Sequence, residues 1–202
     1  MFWITLFLIV GFIAYFILKR KAPKVSLAHL PAQFVVFDLE TTGLNPEKNE
    51  IIEIGAIRVN RDSNQHDTYQ SLVRPSKKVP KKITELTGIT QTMVDSDGIQ
   101  LELALKDFLV FAGNLQLVSF NADFDMAFLQ NAAAKHSLRV TNPVSCALRM
   151  ARRAWPNRKS YRLKDLANDG NLSSEGTHRA LGDCQRTLIV YTAAAARLGT
   201  IQ

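Results

Sequence analysis

An apolar run that ends in two acids sets the strongest constraint on how this chain can fold. Gln33 to Leu39 reads Q-F-V-V-F-D-L, and Glu40 follows. The run is short and rich in β-branched and aromatic residues, which predicts a buried strand. Asp38 and Glu40 fall at i and i+2, so both side chains leave the same face, with Cα atoms about 6.5–7 Å apart. Two carboxylates so spaced can reach one hard cation. They stand at the strand's C-terminal end, the edge at which α/β sheets place ligands. Acids are also common at solvated strand ends, so D-x-E alone does not define a site.

The segments that follow predict a mixed sheet. Thr41-Thr42-Gly43-Leu44-Asn45-Pro46 breaks the first strand with turn residues. Glu50 to Val59 and His66 to Val73 are two more strands, joined through Asn60 to Asn64, and the three together read as an antiparallel meander. Helical spacing then takes over. Leu101, Leu105, Phe108 and Leu109 recur across Ile99 to Ala112, and Phe124, Phe128 and Leu129 mark one face of Ala122 to Lys135. Short strands are expected at Leu115–Phe120 and Val140–Ser145, and helices at Cys146–Ala154, Leu163–Asn168 and Ala180–Leu198. A meander followed by α/β alternation gives an α/β fold, a mixed sheet of antiparallel and parallel strands flanked by helices.

Phe2 to Leu18 is nearly unbroken apolar sequence, interrupted only by Thr5, Gly11, Ala14 and Tyr15. As a helix it would run about 25 Å, slightly short of a bilayer's hydrocarbon core. Its twelve Leu, Ile, Phe and Val residues favour insertion by several kcal/mol. A cleavable leader would carry its basic cluster first and a small-x-small site after the apolar core. Here Lys19, Arg20, Lys21 and Lys24 follow the run. The expectation is a single-pass anchor over residues 1–18, a basic linker over 19–32, and a domain over 33–202. By the positive-inside rule the N-terminus faces out and the domain lies on the cytoplasmic face.

The net charge of +7 favours an anionic partner. The linker holds four of those positive charges, leaving roughly +3 for the rest. A local stripe stands out: Arg149, Arg152, Arg153, Arg158, Lys159, Arg162 and Lys164, with no acid between them and with Trp155 and Tyr161 interleaved. Such a stripe suits the phosphates and bases of a single strand; a solvated helix face and anionic lipid headgroups are the other readings. Cys146 and Cys184 lack zinc-ligand spacing and read as buried thiols.

Further acids lie downstream. Asp125 falls in the first turn of the helix after the Leu115–Phe120 strand, and spacing does not separate it from Asp123. His178 and Asp183 are five residues apart, which in one continuous helix turns them about 140° from each other. Glu175-Gly176-Thr177 therefore places the helix start near or after His178, with the histidine on a loop and Asp183 on the helix.

These segments resemble a known family. Val36-Phe37-Asp38-Leu39-Glu40-Thr41-Thr42-Gly43-Leu44, with Ile52-Glu53-Ile54-Gly55-Ala56, is similar to the first motif of the DEDDh 3′–5′ exonucleases, whose members include the proofreading subunit of bacterial replicative DNA polymerase. Leu86-Thr87-Gly88-Ile89-Thr90 resembles the segment that lies beside the substrate. Asn121 to Leu129 resembles the second motif, which assigns Asp125, and His178 to Asp183 the third. The resemblance spans about Phe34 to Leu198. It implies a ribonuclease-H-like fold and two Mg²⁺ or Mn²⁺ ions, ligated by Asp38, Glu40 and Asp183, with Asp125 mainly through water. His178 would be the general base, and Thr41, Thr42, Gly43, Leu44, Asn121 and Phe124 would meet the substrate. Leu44 takes the position from which the family wedges against a terminal base; a merely packed leucine is the other reading. Phe120 and Cys146 depart from the pattern, where a histidine and an aspartate are frequent.

The function implied is two-metal hydrolysis of the 3′-terminal phosphodiester of single-stranded or frayed nucleic acid, DNA before RNA, releasing nucleoside monophosphates. In that scheme one metal generates hydroxide, the other stabilises the leaving 3′ oxygen, and the histidine takes the water's proton. A membrane-tethered, non-catalytic nucleic-acid adaptor and an RNA-directed exonuclease are the alternatives, and a two-carboxylate glycosidase fits less well because of the basic surface and the excess of acids. No polymerase- or repair-protein-binding segment is identifiable in the sequence.

Overall fold

The structure is a computed structural model that describes residues 30–168 and 179–199. Five strands form one sheet: β1 (Gln33–Thr41), β2 (Ile51–Asn60), β3 (Asp67–Leu72), β4 (Gln116–Ser119) and β5 (Val144–Cys146), in the order β3-β2-β1-β4-β5. β1 pairs antiparallel with β2, and β2 antiparallel with β3, so the expected meander is present. β1 pairs parallel with β4 and β4 parallel with β5, giving the mixed sheet.

Seven helices surround the sheet among the described residues: α1 (Lys81–Thr87), α2 (Gln91–Ser96), α3 (Leu101–Ala112), α4 (Ala122–Lys135), α5 (Ala147–Ala154), α6 (Leu163–Asn168) and α7 (Ala180–Gly199). None is long and apolar enough to cross a membrane. The anchor expected over residues 1–18 lies outside the described residues.

β1 is central, and its two faces feed two cores. Val35, Phe37 and Leu39 pack with Leu105 and Phe108 of α3 and Phe128 and Leu129 of α4. Phe34 and Val36 pack on the opposite side with Ala147 of α5 and Cys184, Tyr191 and Ala195 of α7. Period-two alternation carries Asp38 and Glu40 onto this second face, so α7 covers the acids as well as the apolar residues before them.

Two expectations shift. The strand expected at Val140–Ser145 is confined to Val144–Cys146. Pro143 has no N–H for the ladder and offers only its carbonyl, to Leu117 N–H at 2.8 Å. Asn142 is occupied with the carbonyls of Gly113 and Leu115, both at 2.8 Å. The second shift is α1 and α2, which fill a stretch with no helix expected. Gly88 closes α1 at φ 73°, and the Thr90 side chain caps α2 by accepting from Met93 N–H at 3.2 Å.

Candidate active site

Asp38, Glu40 and Asp183 converge. Each presents a carboxylate oxygen, and the three oxygens lie within 4.8 Å of one another. Asp38 and Glu40 come from the end of β1 and Asp183 from the first turn of α7. α7 begins at Ala180, in agreement with the helix start that the five-residue spacing demanded. His178 lies outside the described residues.

Asp125 joins from α4. It is buried and held on two sides, by the Ser119 hydroxyl at the end of β4 and by the backbone N–H of Leu39. Asp123 is exposed and pairs with Arg149 at 3.3 Å, so the structure separates the two aspartates that spacing could not.

Burial and mutual repulsion raise the pKa of three of these acids. Burial, then the charges of Asp125, Glu40 and Asp183, push the Asp38 carboxyl well above its ordinary range. Burial is also the main cause for Glu40, raised to about 8, with Asp183, Glu53 and Asp125 adding and Arg179 opposing. Asp125 is raised to about 7 by burial against the pull of its hydrogen bonds to Ser119 and Leu39. Arg186 Nη1 donates to Asp183 Oδ1 at 2.6 Å, one cation against three crowded carboxylates, and oxygen donors gathered so closely fit hard divalent ions.

Glu53 answers the same problem differently. It is fully buried, yet Arg179 Nε donates to its two oxygens at 3.0 and 3.1 Å, Ala180 N–H at 2.9 Å and Gln70 Nε2 at 2.9 Å. These donors leave no orphaned charge. Glu53, Arg179 and Ser119 had no role on sequence grounds. An acid in the middle of an apolar strand was the available signal for Glu53.

A cleft of about 530 Å³ opens beside Glu40, bordered by Thr41, Thr42, Gly43 and Leu44 on one side and by Leu86, Thr87 and Phe124 on the other. Leu44 is 84% exposed and Leu86 48%, so the packed reading of Leu44 is excluded. The Thr41 hydroxyl donates to the Gly43 carbonyl at 2.6 Å, and the Thr42 hydroxyl accepts from Glu50 N–H at 2.9 Å, which holds the loop in shape. A Cβ on Gly43 would stand 2.6 Å from the Asn49 side chain. Phe124 is braced by Phe128, ring centroids 5.0 Å apart, and Asn121 is exposed at the start of α4.

Arg152, Arg153 and Arg158 do not border this cleft. Arg152 and Arg153 are exposed in the last turn of α5, and the Arg152 guanidinium lies 5.9 Å from the Tyr161 ring centroid. Arg158 Nε donates to the Ser160 carbonyl at 3.2 Å. Trp155 and Tyr161 pack against Ala151, Leu166 and Val190, so the interleaved aromatics serve the core. The two departures from the motif touch each other: Cys146 Sγ donates to the Phe120 carbonyl at 3.3 Å. Both cysteines are buried and free.

Comparison with known proteins agrees with this geometry. Residues 35–191 match the RNase T family of exonucleases. The chain is 39% identical over 166 residues to the PolC-type DNA polymerase III of Caldanaerobacter subterraneus subsp. tengcongensis, covering 82% of this chain and 12% of that protein. It thus spans about an eighth of the length of the PolC-type relatives it matches. With the DNA polymerase III subunit epsilon of Aquifex aeolicus it shares 34% identity over 172 residues, 85% of this chain and 84% of that one. Among solved structures, E. coli exonuclease I in complex with a dT13 oligonucleotide superposes with a TM-score of 0.73 at 18% identity, over 85% of this chain and 42% of that one. Exonuclease X in complex with 5′ overhanging duplex DNA gives 0.59 at 25% identity, over 83% of this chain and 92% of that one.

Proposed function

The chain belongs to the RNase T exonuclease family, and on that premise we propose that it is a 3′–5′ exonuclease that removes nucleoside monophosphates from single-stranded or frayed 3′ ends of DNA. The observation that carries this reading is the convergence of Asp38, Glu40 and Asp183 beside a cleft with exposed apolar walls. Two Mg²⁺ or Mn²⁺ ions fit the donor set, held by Asp38, Glu40 and Asp183 with Asp125 behind them, and when bound they supply a nucleophile at neutral pH and stabilise charge on the leaving oxygen.

The chain's own residues do the remaining work. Leu44 and Leu86 grip the terminal base between them, with Phe124 as a third wall, while Thr41 and Thr42 hold the loop that presents Leu44. Asn121 contacts the substrate from the start of α4. His178 removes the proton of the attacking water, so turnover falls as pH drops below the pKa of the histidine. Arg152, Arg153 and Arg158 draw in the phosphates of the strand leading to the site. DNA is favoured over RNA because the relatives include DNA polymerase III subunits and the neighbours include exonucleases solved with DNA. Digestion of matched DNA and RNA oligonucleotides tests the substrate; faster loss of RNA would reverse that preference.

Residues 2–18 anchor the enzyme in a membrane, and the Lys19–Lys24 cluster keeps the domain on the cytoplasmic face. The support is the length and apolarity of that run and the position of its basic flank. Release of the full chain from vesicles by alkaline carbonate would contradict the anchor.

A further inference from the structure

We propose that Glu53 and Arg179 are a positioning pair that fixes the first turn of α7, and with it Asp183, against Asp38 and Glu40 so that the three carboxylates form one cation site. The inference rests on the exonuclease reading above and assigns work to two residues that do not border the cleft.

Three connections carry it. The first is direct: Glu53 accepts from the Arg179 guanidinium and from Ala180 N–H, gripping both the residue before α7 and the first residue within it. The second continues through the backbone, where the Arg179 carbonyl accepts from Asp183 N–H at 3.0 Å. The third is steric. A Cβ on Gly55 would stand 2.6 Å from the backbone of Ala180 and Leu181 and 2.8 Å from the Ala180 Cβ, so β2 and the helix start meet with no room for a side chain on β2.

Register makes these connections matter to the site. Glu53 lies opposite Glu40 across the β1–β2 ladder and Gly55 opposite Asp38. The two residues of β2 that seat α7 are therefore the cross-strand neighbours of the two acids of β1, on the same face. A slip of α7 by a fraction of a turn would carry Asp183 out of reach. Partners that orient ligating carboxylates typically change metal affinity about 10- to 100-fold when altered.

The test uses the full chain as wild type, Glu53→Gln, Arg179→Gln, Arg179→Lys and the double Gln variant. Mn²⁺ affinity is read by calorimetry, kcat and KM on a single-stranded DNA oligonucleotide, and melting temperature by fluorescence. Glu53→Gln and Arg179→Gln should weaken Mn²⁺ binding about tenfold or more and lower kcat, with KM for DNA within about twofold, and excess Mn²⁺ should restore part of kcat. Arg179→Lys keeps the charge without the fork and should fall between. The double variant should be no worse than the weaker single, as expected of one unit. If Glu53→Gln does not fold, the Arg179 variants, altered at a side chain one-third exposed, carry the same readings. Folded variants with wild-type Mn²⁺ affinity and kcat would overturn the pairing. A wild-type chain that binds Mn²⁺ but digests no nucleic acid would instead remove the exonuclease reading, leaving the calorimetric comparison to judge the pair.

Discussion

Glu40 lies directly opposite Glu53 in the antiparallel ladder of β1 and β2, two buried carboxylates as cross-strand neighbours. Like charges so placed destabilise a sheet. The protein resolves one of them itself, with the Arg179 guanidinium, Ala180 N–H and the Gln70 amide all donating to Glu53. Among the described residues Glu40 receives no such set of donors, and it keeps its proton up to about pH 8. One acid is built into the framework and the other is left for a cation.

Asp38→Asn should therefore separate function from stability. Turnover should fall by about three orders of magnitude or more, since the cation site is short of a ligand. In a chelator the variant should melt at or above the wild-type temperature, because a half-buried acid crowded by other carboxylates has been replaced by a neutral isostere. A variant that melts well below wild type in the chelator would mean that Asp38 has a structural task.

Stability without metal should depend on pH in an unusual direction. Glu40 ionises near 4.5 in the unfolded chain but near 8 when folded, and Asp125 shifts from 3.8 to about 7. Between those limits the folded state holds protons the unfolded chain has released, so the contribution of these groups is full below about pH 4 and is lost as pH rises through 7 to 8. In a chelator, melting temperature should fall from pH 5.5 to 8.5 for this reason. Mg²⁺, which binds the ionised acids, should raise it far more at pH 8.5 than at 5.5. Equal stabilisation by Mg²⁺ at both values would count against the cluster as its site.

Gly55→Ala should cost about 1–3 kcal/mol of unfolding free energy, measured by urea titration. The new Cβ meets backbone atoms of Ala180 and Leu181 at 2.6 Å, and backbone cannot swing aside as a side chain can. Little change would show that α7 can lift from β2 without penalty.

Neutralising Arg152, Arg153 and Arg158 together should flatten the salt dependence of single-strand binding, by about 0.7 in logarithmic slope for each phosphate no longer neutralised. Catalysis at saturating DNA should change little, since none of the three borders the cleft. An unchanged slope would leave the stripe as a solvated surface.

Much of this architecture was legible because the chain states it locally. Alternation along Gln33–Glu40 fixed which face the acids share, and the five-residue gap from His178 to Asp183 placed the helix start, which α7 meets at Ala180. Other features depend on partners distant in sequence. Nothing near Glu53 announces Arg179, 126 residues away, and nothing near Asp125 announces that Ser119 will donate to it and Asp123 will turn outward to Arg149. α1 and α2 are a different matter: Pro80, Gly88 and Thr90 are ordinary helix signals, but seven and six residues carry too little periodicity to mark a helix. The strand expected from Val140 ignored Pro143, whose missing donor kept that segment out of the ladder.

The most direct measurement is the fate of a 5′-labelled single-stranded DNA incubated with the full chain in Mg²⁺ and, in parallel, in a chelator. Stepwise shortening from the 3′ end, with mononucleotides released, present in Mg²⁺ and absent with the chelator or with Asp38→Asn, is the predicted result. No shortening in Mg²⁺ or Mn²⁺, or shortening that survives the chelator and Asp38→Asn, would contradict hydrolysis at the Asp38, Glu40 and Asp183 cluster.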